Sequence, residues 1–139
     1  MESEDNKKKL EEKYLMLQLL DAQIKELEKE LTALEVQNKN ILNLKESLSS
    51  LEKSKENSGG FSAIGAGIYT ESDIKDTKNV LVNVGAGVLV KKTISETSQL
   101  LNKQVKQSDE ITKRLAANMQ TLSEKAAELQ IEIQDLVKV

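Results

Sequence analysis

Two heptad stripes, one on each side of a glycine-rich middle, constrain this chain more than any other feature. Leu10, Leu17, Ile24 and Leu31 recur every seventh residue, and Leu20, Leu27, Leu34, Ile41 and Leu48 form a second row three residues on. These are the a and d positions of a coiled-coil helix. Asn38 falls in the a row, where a polar residue fixes register at a cost in stability. Lys45 and Glu52 then turn that row polar, and Leu44 and Leu51 predict that the stripe rotates toward the helix end. The helix is predicted over 5–56, with Asn57-Ser58-Gly59-Gly60 as its stop signal. In the last third, Leu101, Leu115, Leu122, Leu129 and Leu136 share a row with Ser108, while Val105, Met119, Ala126 and Ile133 share one with Thr112. This predicts a second helix over 95–138. Ser95 is its expected start, followed by Ser98 rather than a capping-box glutamate, and Glu96 suits the helix dipole. The two helices are near-equal, roughly 75 and 65 Å at 1.5 Å per residue.

Neither stripe is stable bare in water. The simplest solution packs the two helices antiparallel within one chain; a parallel homodimer through each helix is the alternative. The strand-like insert favours the antiparallel hairpin, because it reverses the chain and brings both termini to one end. Composition agrees with long exposed helices rather than a thick core. Aromatics are 2% of the 139 residues, charged residues 31%, and proline is absent. Neither Cys nor His occurs, which leaves no disulfide, thiolate nucleophile or Cys/His metal site. The expected compartment is the cytoplasm, with no cofactor. The net charge of −3 and the lack of stacking aromatics argue against nucleic acid, and no apolar run is long enough to span a membrane.

The middle segment carries an internal near-repeat: Ile64-Gly65-Ala66-Gly67-Ile68 and, twenty residues on, Val84-Gly85-Ala86-Gly87-Val88. Val80, Val82 and Val84 alternate with Leu81 and Asn83, and Val88 and Val90 with Leu89 and Lys91. This is strand patterning with glycine at the turns. Two β hairpins are predicted within 61–93, pairing 61–64 with 67–74 and 79–84 with 87–93, joined by the polar turn Asp76-Thr77-Lys78-Asn79. Isolated hairpins are marginal and open edges invite pairing. The fold class is therefore α+β, mostly α: an antiparallel coiled-coil hairpin with two β hairpins inserted, assembling through the strands into an intersubunit barrel. Ile68, Val80, Val82, Val84, Val88 and Val90 are the expected assembly residues.

The two Gly-Ala-Gly motifs are not phosphate loops: no third glycine follows, and a strand, not a helix, comes next. Carboxylate pairs such as Glu26 with Glu30 or Glu124 with Glu128 lie on solvated helix faces, with no histidine beside them and no pocket to shift their pKa values. No enzyme activity is expected. The more informative residues are apolar side chains near the termini. Tyr14, Leu15, Met16 and Leu19, and Ile131, Val137 and Val139, stand off the seam, beside seam residues such as Leu136. Exposed apolar groups at an arm's end predict a contact surface for apolar partners; cover by another helix or subunit is the alternative. Tyr14, Leu15, Met16, Leu19, Ile131, Leu136 and Val137 are the candidate contact residues.

The middle segment closely resembles the central region of prefoldin alpha-class subunits. The likeness rests on Gly65-Ala66-Gly67, the Lys75-Asp76-Thr77 turn, the Val80–Val84 strand, and Val84-Gly85-Ala86-Gly87-Val88 leading to Lys91-Lys92-Thr93. The flanking helices match in length and order. One departure is Ala63, where family members often carry proline just before the first Gly-Ala-Gly. The resemblance implies an ATP-independent chaperone subunit of archaeal type, in a hexamer of two alpha-class and four beta-class subunits. Barrels built from the hairpins form its platform, and the coiled-coil tips hold unfolded proteins and pass them to a group II chaperonin. A filament-forming relative is the structural alternative, and a generic coiled-coil tether a further one.

Overall fold

The computed structural model describes residues 2–138. The elements run α1 (Glu2–Lys53), β1 (Ser58–Gly65), β2 (Ile68–Ile74), β3 (Asn79–Gly85), β4 (Val88–Thr93) and α2 (Ile94–Val137). The chain divides into two compact units: residues up to Gln37 with those from Ser108 onward, and residues Asn38–Gln107.

The first unit is a pair of antiparallel helical segments. Leu10, Leu17, Leu20, Ile24, Leu27, Leu31 and Leu34 of α1 are half-buried, and the residues between them are exposed, apart from Lys13. On α2 the matching positions run from Ser108 to Leu136 in unbroken three–four alternation, with Ala126 and Ile133 buried. Most seam residues stay half-buried because a two-helix pair has only one apolar contact face. Lys13 occupies a d position and is half-buried; its Nζ donates to Glu132 Oε2 on the other helix. Its stem covers the seam while its ammonium finds a carboxylate. That cross-pair joins residues 13 and 132, which the antiparallel sense brings side by side.

The second unit holds a small core. Ile41 and Leu48 of α1 meet Ile94 and Leu101 of α2, with Leu51, Val80 and Val105 packed against them. The seam holds to Leu48, with Lys45 half-buried and Leu44 exposed. The predicted rotation therefore begins only in the last turn, at Leu51. A lysine keeps its place in the seam by burying its stem. Asn38 Oδ1 in this unit and Ser108 Oγ in the other are buried without a hydrogen-bond partner among the described residues. Each such group costs about 1–3 kcal/mol. The polar seam positions thus come at a cost in stability.

α1 ends in a turn rather than at the glycines. Asn57 adopts φ 62° and donates its N–H to the Ile74 carbonyl at 2.7 Å. The strand then begins at Ser58, three residues before the predicted start, because Ser58, Gly59 and Gly60 pair with Ile74, Asp73 and Ser72. The two hairpins are separate two-stranded antiparallel sheets, with one extra residue, Ile64 or Val84, bulged just before each turn. The turns have positive φ at both central residues, 48° and 80° at Ala66-Gly67 and 51° and 74° at Ala86-Gly87. That is the type I′ geometry, whose twist matches the strands.

The linker between hairpins is organised by Asp76. Its carboxylate accepts from the backbone N–H groups of Lys78 (2.8 Å) and Asn79 (3.0 Å) and from Asn79 Nδ2 (3.1 Å). These bonds, Lys78's first, hold its pKa below the ordinary 3.8, with Lys91 a smaller contributor. A carboxylate depressed in the folded state adds stability above its unfolded pKa and loses it as pH falls through the folded value. Asp76→Asn removes this titration. Urea midpoints of the wild type should therefore fall relative to Asp76→Asn as pH drops below about 4. A gap between the two that stays constant down to acidic pH would contradict the assignment.

α2 starts at Ile94, one residue before the expected start, because Thr93 caps it. Thr93 Oγ1 accepts from the Glu96 N–H at 3.1 Å. The sequence Thr93-x-x-Glu96 is thus the capping-box spacing that the expectation from Ser95 overlooked. The Ile94 N–H donates to the Lys78 carbonyl at 2.9 Å, tying the helix start to the linker.

Candidate functional site

In the first unit the helix pair leaves its off-seam apolar residues uncovered. Leu15 and Leu19 are each 61% exposed, Ile131 60% and Val137 62%, with Tyr14 and Met16 also exposed. Leu136 is a half-buried seam residue, and Val139 lies outside the described residues. The candidates do not form one patch. At roughly 100° per residue, Leu15 stands about 200° from seam residue Leu17, and Ile131 about 200° from Ile133. Each therefore lies on the outer face of its own helix. Met16 and Leu19 instead share a groove with α2, floored also by Leu20 and Leu129 and rimmed by Gln23, Lys125, Glu128 and Glu132. The arrangement offers apolar contact from several directions around the pair.

In the second unit the candidate assembly residues divide between two roles. Val80 packs on the core, and Val82 is half-buried beside it. Ile68, Val84, Val88 and Val90 are exposed. The register Leu81↔Lys91 and Asn83↔Leu89 places Leu81 and Leu89 on the face opposite Val80 and Val82. They are 65% and 57% exposed. Phe61, Ile64 and Tyr69 of the first hairpin are equally bare. These five were not among the sequence candidates. The signal that finds them is alternation itself: if the valines at even numbers face the helices, the leucines at odd numbers need another partner. An apolar groove runs between β3 and the helices, lined by Leu44, Leu48, Val82, Val84, Leu100 and Leu101. The outer edge of each hairpin pairs with no strand among the described residues. Exposed apolar faces beside unpaired edges invite contact with another chain.

Among the described residues, no helix is long and apolar enough to cross a membrane. A family model described as prefoldin subunit matches residues 20–138. Prefoldin subunit alpha of Methanobrevibacter smithii is 28% identical over 87 residues, covering 63% of this chain and 60% of the relative. Prefoldin subunit alpha of Methanocorpusculum labreanum is 32% identical over 73 residues, covering 52% and 50%. That of Pyrococcus horikoshii is 32% identical over 73 residues, covering 52% and 49%. The chain thus spans about half to three fifths of the length of the curated relatives it matches. Among solved structures, a chain of filamentous PFD from Methanocaldococcus jannaschii aligns with a TM-score of 0.61 at 21% identity, covering 88% of this chain and 96% of that one. This likeness speaks to the fold: two long helices with two β hairpins between them.

Proposed function

This chain belongs to the prefoldin family, and we propose that it acts as an alpha-class subunit of an ATP-independent chaperone that holds unfolded proteins. The observation that carries this reading is the set of apolar side chains that the first unit leaves bare, Leu15, Leu19, Ile131 and Val137 foremost. Tyr14 and Met16 join them, and Leu136 contributes from the seam edge. Each contact with an unfolded chain is weak, and several arms acting together raise the overall affinity. Release then needs no nucleotide: a group II chaperonin competing for the client suffices. The bare hairpin faces and open edges support a role in assembly for residues 58–93, and the partners in this reading are beta-class subunits, four to two alpha, in a cytoplasmic hexamer.

The test is light-scattering suppression of a chemically unfolded client's aggregation. Removing residues 1–19 and 131–139 should abolish suppression while leaving the oligomer intact. Leu15→Ser/Leu19→Ser/Ile131→Ser, which spares the seam, should raise the concentration for half-suppression about tenfold, as losing several partial apolar contacts implies. Undiminished activity in both would sink the assignment. A second reading, end-to-end self-assembly into filaments, is favoured by the same unpaired hairpin edges. Long polymers of the chain alone, without a beta-class partner, would select it.

A further inference from the structure

The two units carry opposite charge. The residues up to Gln37 and from Ser108 onward hold 16 acidic against 10 basic side chains, whereas Asn38–Gln107 hold 7 against 10. The imbalance is sharpest around the Met16–Leu19 groove: residues 11–23 and 124–138 hold 7 acidic side chains against 3 basic ones. The Lys13–Glu132 pair removes one of each and leaves 6 acidic against 2 basic. Glu128 lies on the rim and makes no ion pair among the described residues. Lys125 is the single cation on that rim.

From this we infer that the groove selects its clients by charge: it takes unfolded segments in which lysine or arginine alternates with apolar residues. The inference rests on the client-binding reading above and names the class of segment that this site prefers. The floor is apolar and adaptable, since Met16 has no fixed shape and Leu19, Leu20 and Leu129 offer no polar atom. Such a floor discriminates poorly among apolar side chains. A purely apolar segment laid across it would strip water from the Glu128 carboxylate and return no partner, which is unfavourable. A segment bearing a cation beside its apolar residues brings the missing charge, and its long aliphatic stem adds cover to the floor. A segment bearing carboxylates meets the surplus of acidic side chains around the groove and is disfavoured by like charge.

The test uses the full chain and fluorescent peptides of equal length and leucine content, whose polar positions are all lysine, all serine or all glutamate. The lysine peptide should bind about tenfold tighter than the glutamate peptide at low salt, a gap expected of a few exposed charge pairs. The gap should close as added salt shortens the screening length toward ~3 Å near 1 M. Glu128→Lys should bring the ratio close to unity, while Glu30→Lys, an exposed acid outside the groove, leaves it unchanged; circular dichroism checks that both remain helical. Equal binding of all peptides would overturn charge selection and leave client binding standing. Failure of every peptide to bind, with Leu19→Ser without effect, would overturn the client-binding reading itself. A groove occupied by a second copy of the chain would show as peptide affinity that weakens with rising protein concentration, and would overturn the inference.

Discussion

Leu81→Asp combined with Leu89→Asp is expected to leave the helices folded and to reduce the protein to monomers. Both leucines sit on the outer face of the β3–β4 hairpin, diagonal to one another, and both are more than half exposed in the single chain. Neither packs in the core cluster, which meets the hairpin through Val80 on the opposite face. Aspartate at these sites therefore does little to the isolated chain. In an assembly that covers this face, each substitution removes part of the roughly 1.5–3 kcal/mol available from burying a leucine. It also desolvates a carboxylate, which costs further. A combined loss of roughly 5 kcal/mol corresponds to a weakening of more than a thousandfold in dissociation constant. Native mass measurement, with and without a beta-class partner, reads the result. An oligomer of unchanged mass would show that the exposed face is not the assembly surface. Asn83→Asp on the same face is a useful control, because it adds charge without removing apolar area.

The contrast between what the sequence disclosed and what it hid follows from the range of each interaction. The helical seam was legible residue by residue because a heptad is a local repeat, and one helix satisfies it with any partner of the same period. Every seam position from Leu17 to Leu34 and from Leu115 to Leu136 is at least half-buried. Lys13 escaped because a charged residue hides a d position. Its place depends on Glu132, which is 119 residues away in sequence. The hairpins were legible from alternation and the twin Gly-Ala-Gly turns. Their outer faces were not, since alternation shows that two faces exist without saying which one the helices cover. Only the packing of Val80 on Ile94 and its neighbours decides that, and it thereby exposes Leu81 and Leu89. The groove at Met16 and Leu19 was half legible. Its apolar floor residues from α1 stood out, but the facing acids of α2 came into view only with the register of the helix pair.

Ile94→Ala should destabilise the second unit more than any other single truncation among its buried residues. Ile94 is 2% exposed and joins Ile41, Leu48 and Leu101 in a core with no aromatic residue and little redundancy. It is the residue where three constraints meet: the Thr93 cap places it in the first turn of α2, its N–H holds the Lys78 carbonyl, and its side chain lies in the same cluster as Val80 of β3. Truncating a buried isoleucine to alanine costs about 2–5 kcal/mol, the upper end applying where the surroundings cannot collapse. Here the helix start is pinned by the Ile94–Lys78 backbone bond and by the Thr93 side-chain cap, so collapse is restricted and a loss near ~3–4 kcal/mol is expected. For a unit of this size that lowers the melting temperature by roughly 12–32 °C. Hydrogen exchange gives the sharper test, because stability is not uniform along a chain. Amides of 79–105 should lose protection, while those of 112–133, which belong to the other unit, keep most of theirs. Ile94→Val, which keeps the shape and removes one methyl, should cost only about 1 kcal/mol. If the alanine variant melted within a few degrees of wild type, the hairpin would be anchored elsewhere. The exposed face of Leu81 and Leu89 would then lose its claim to a fixed position.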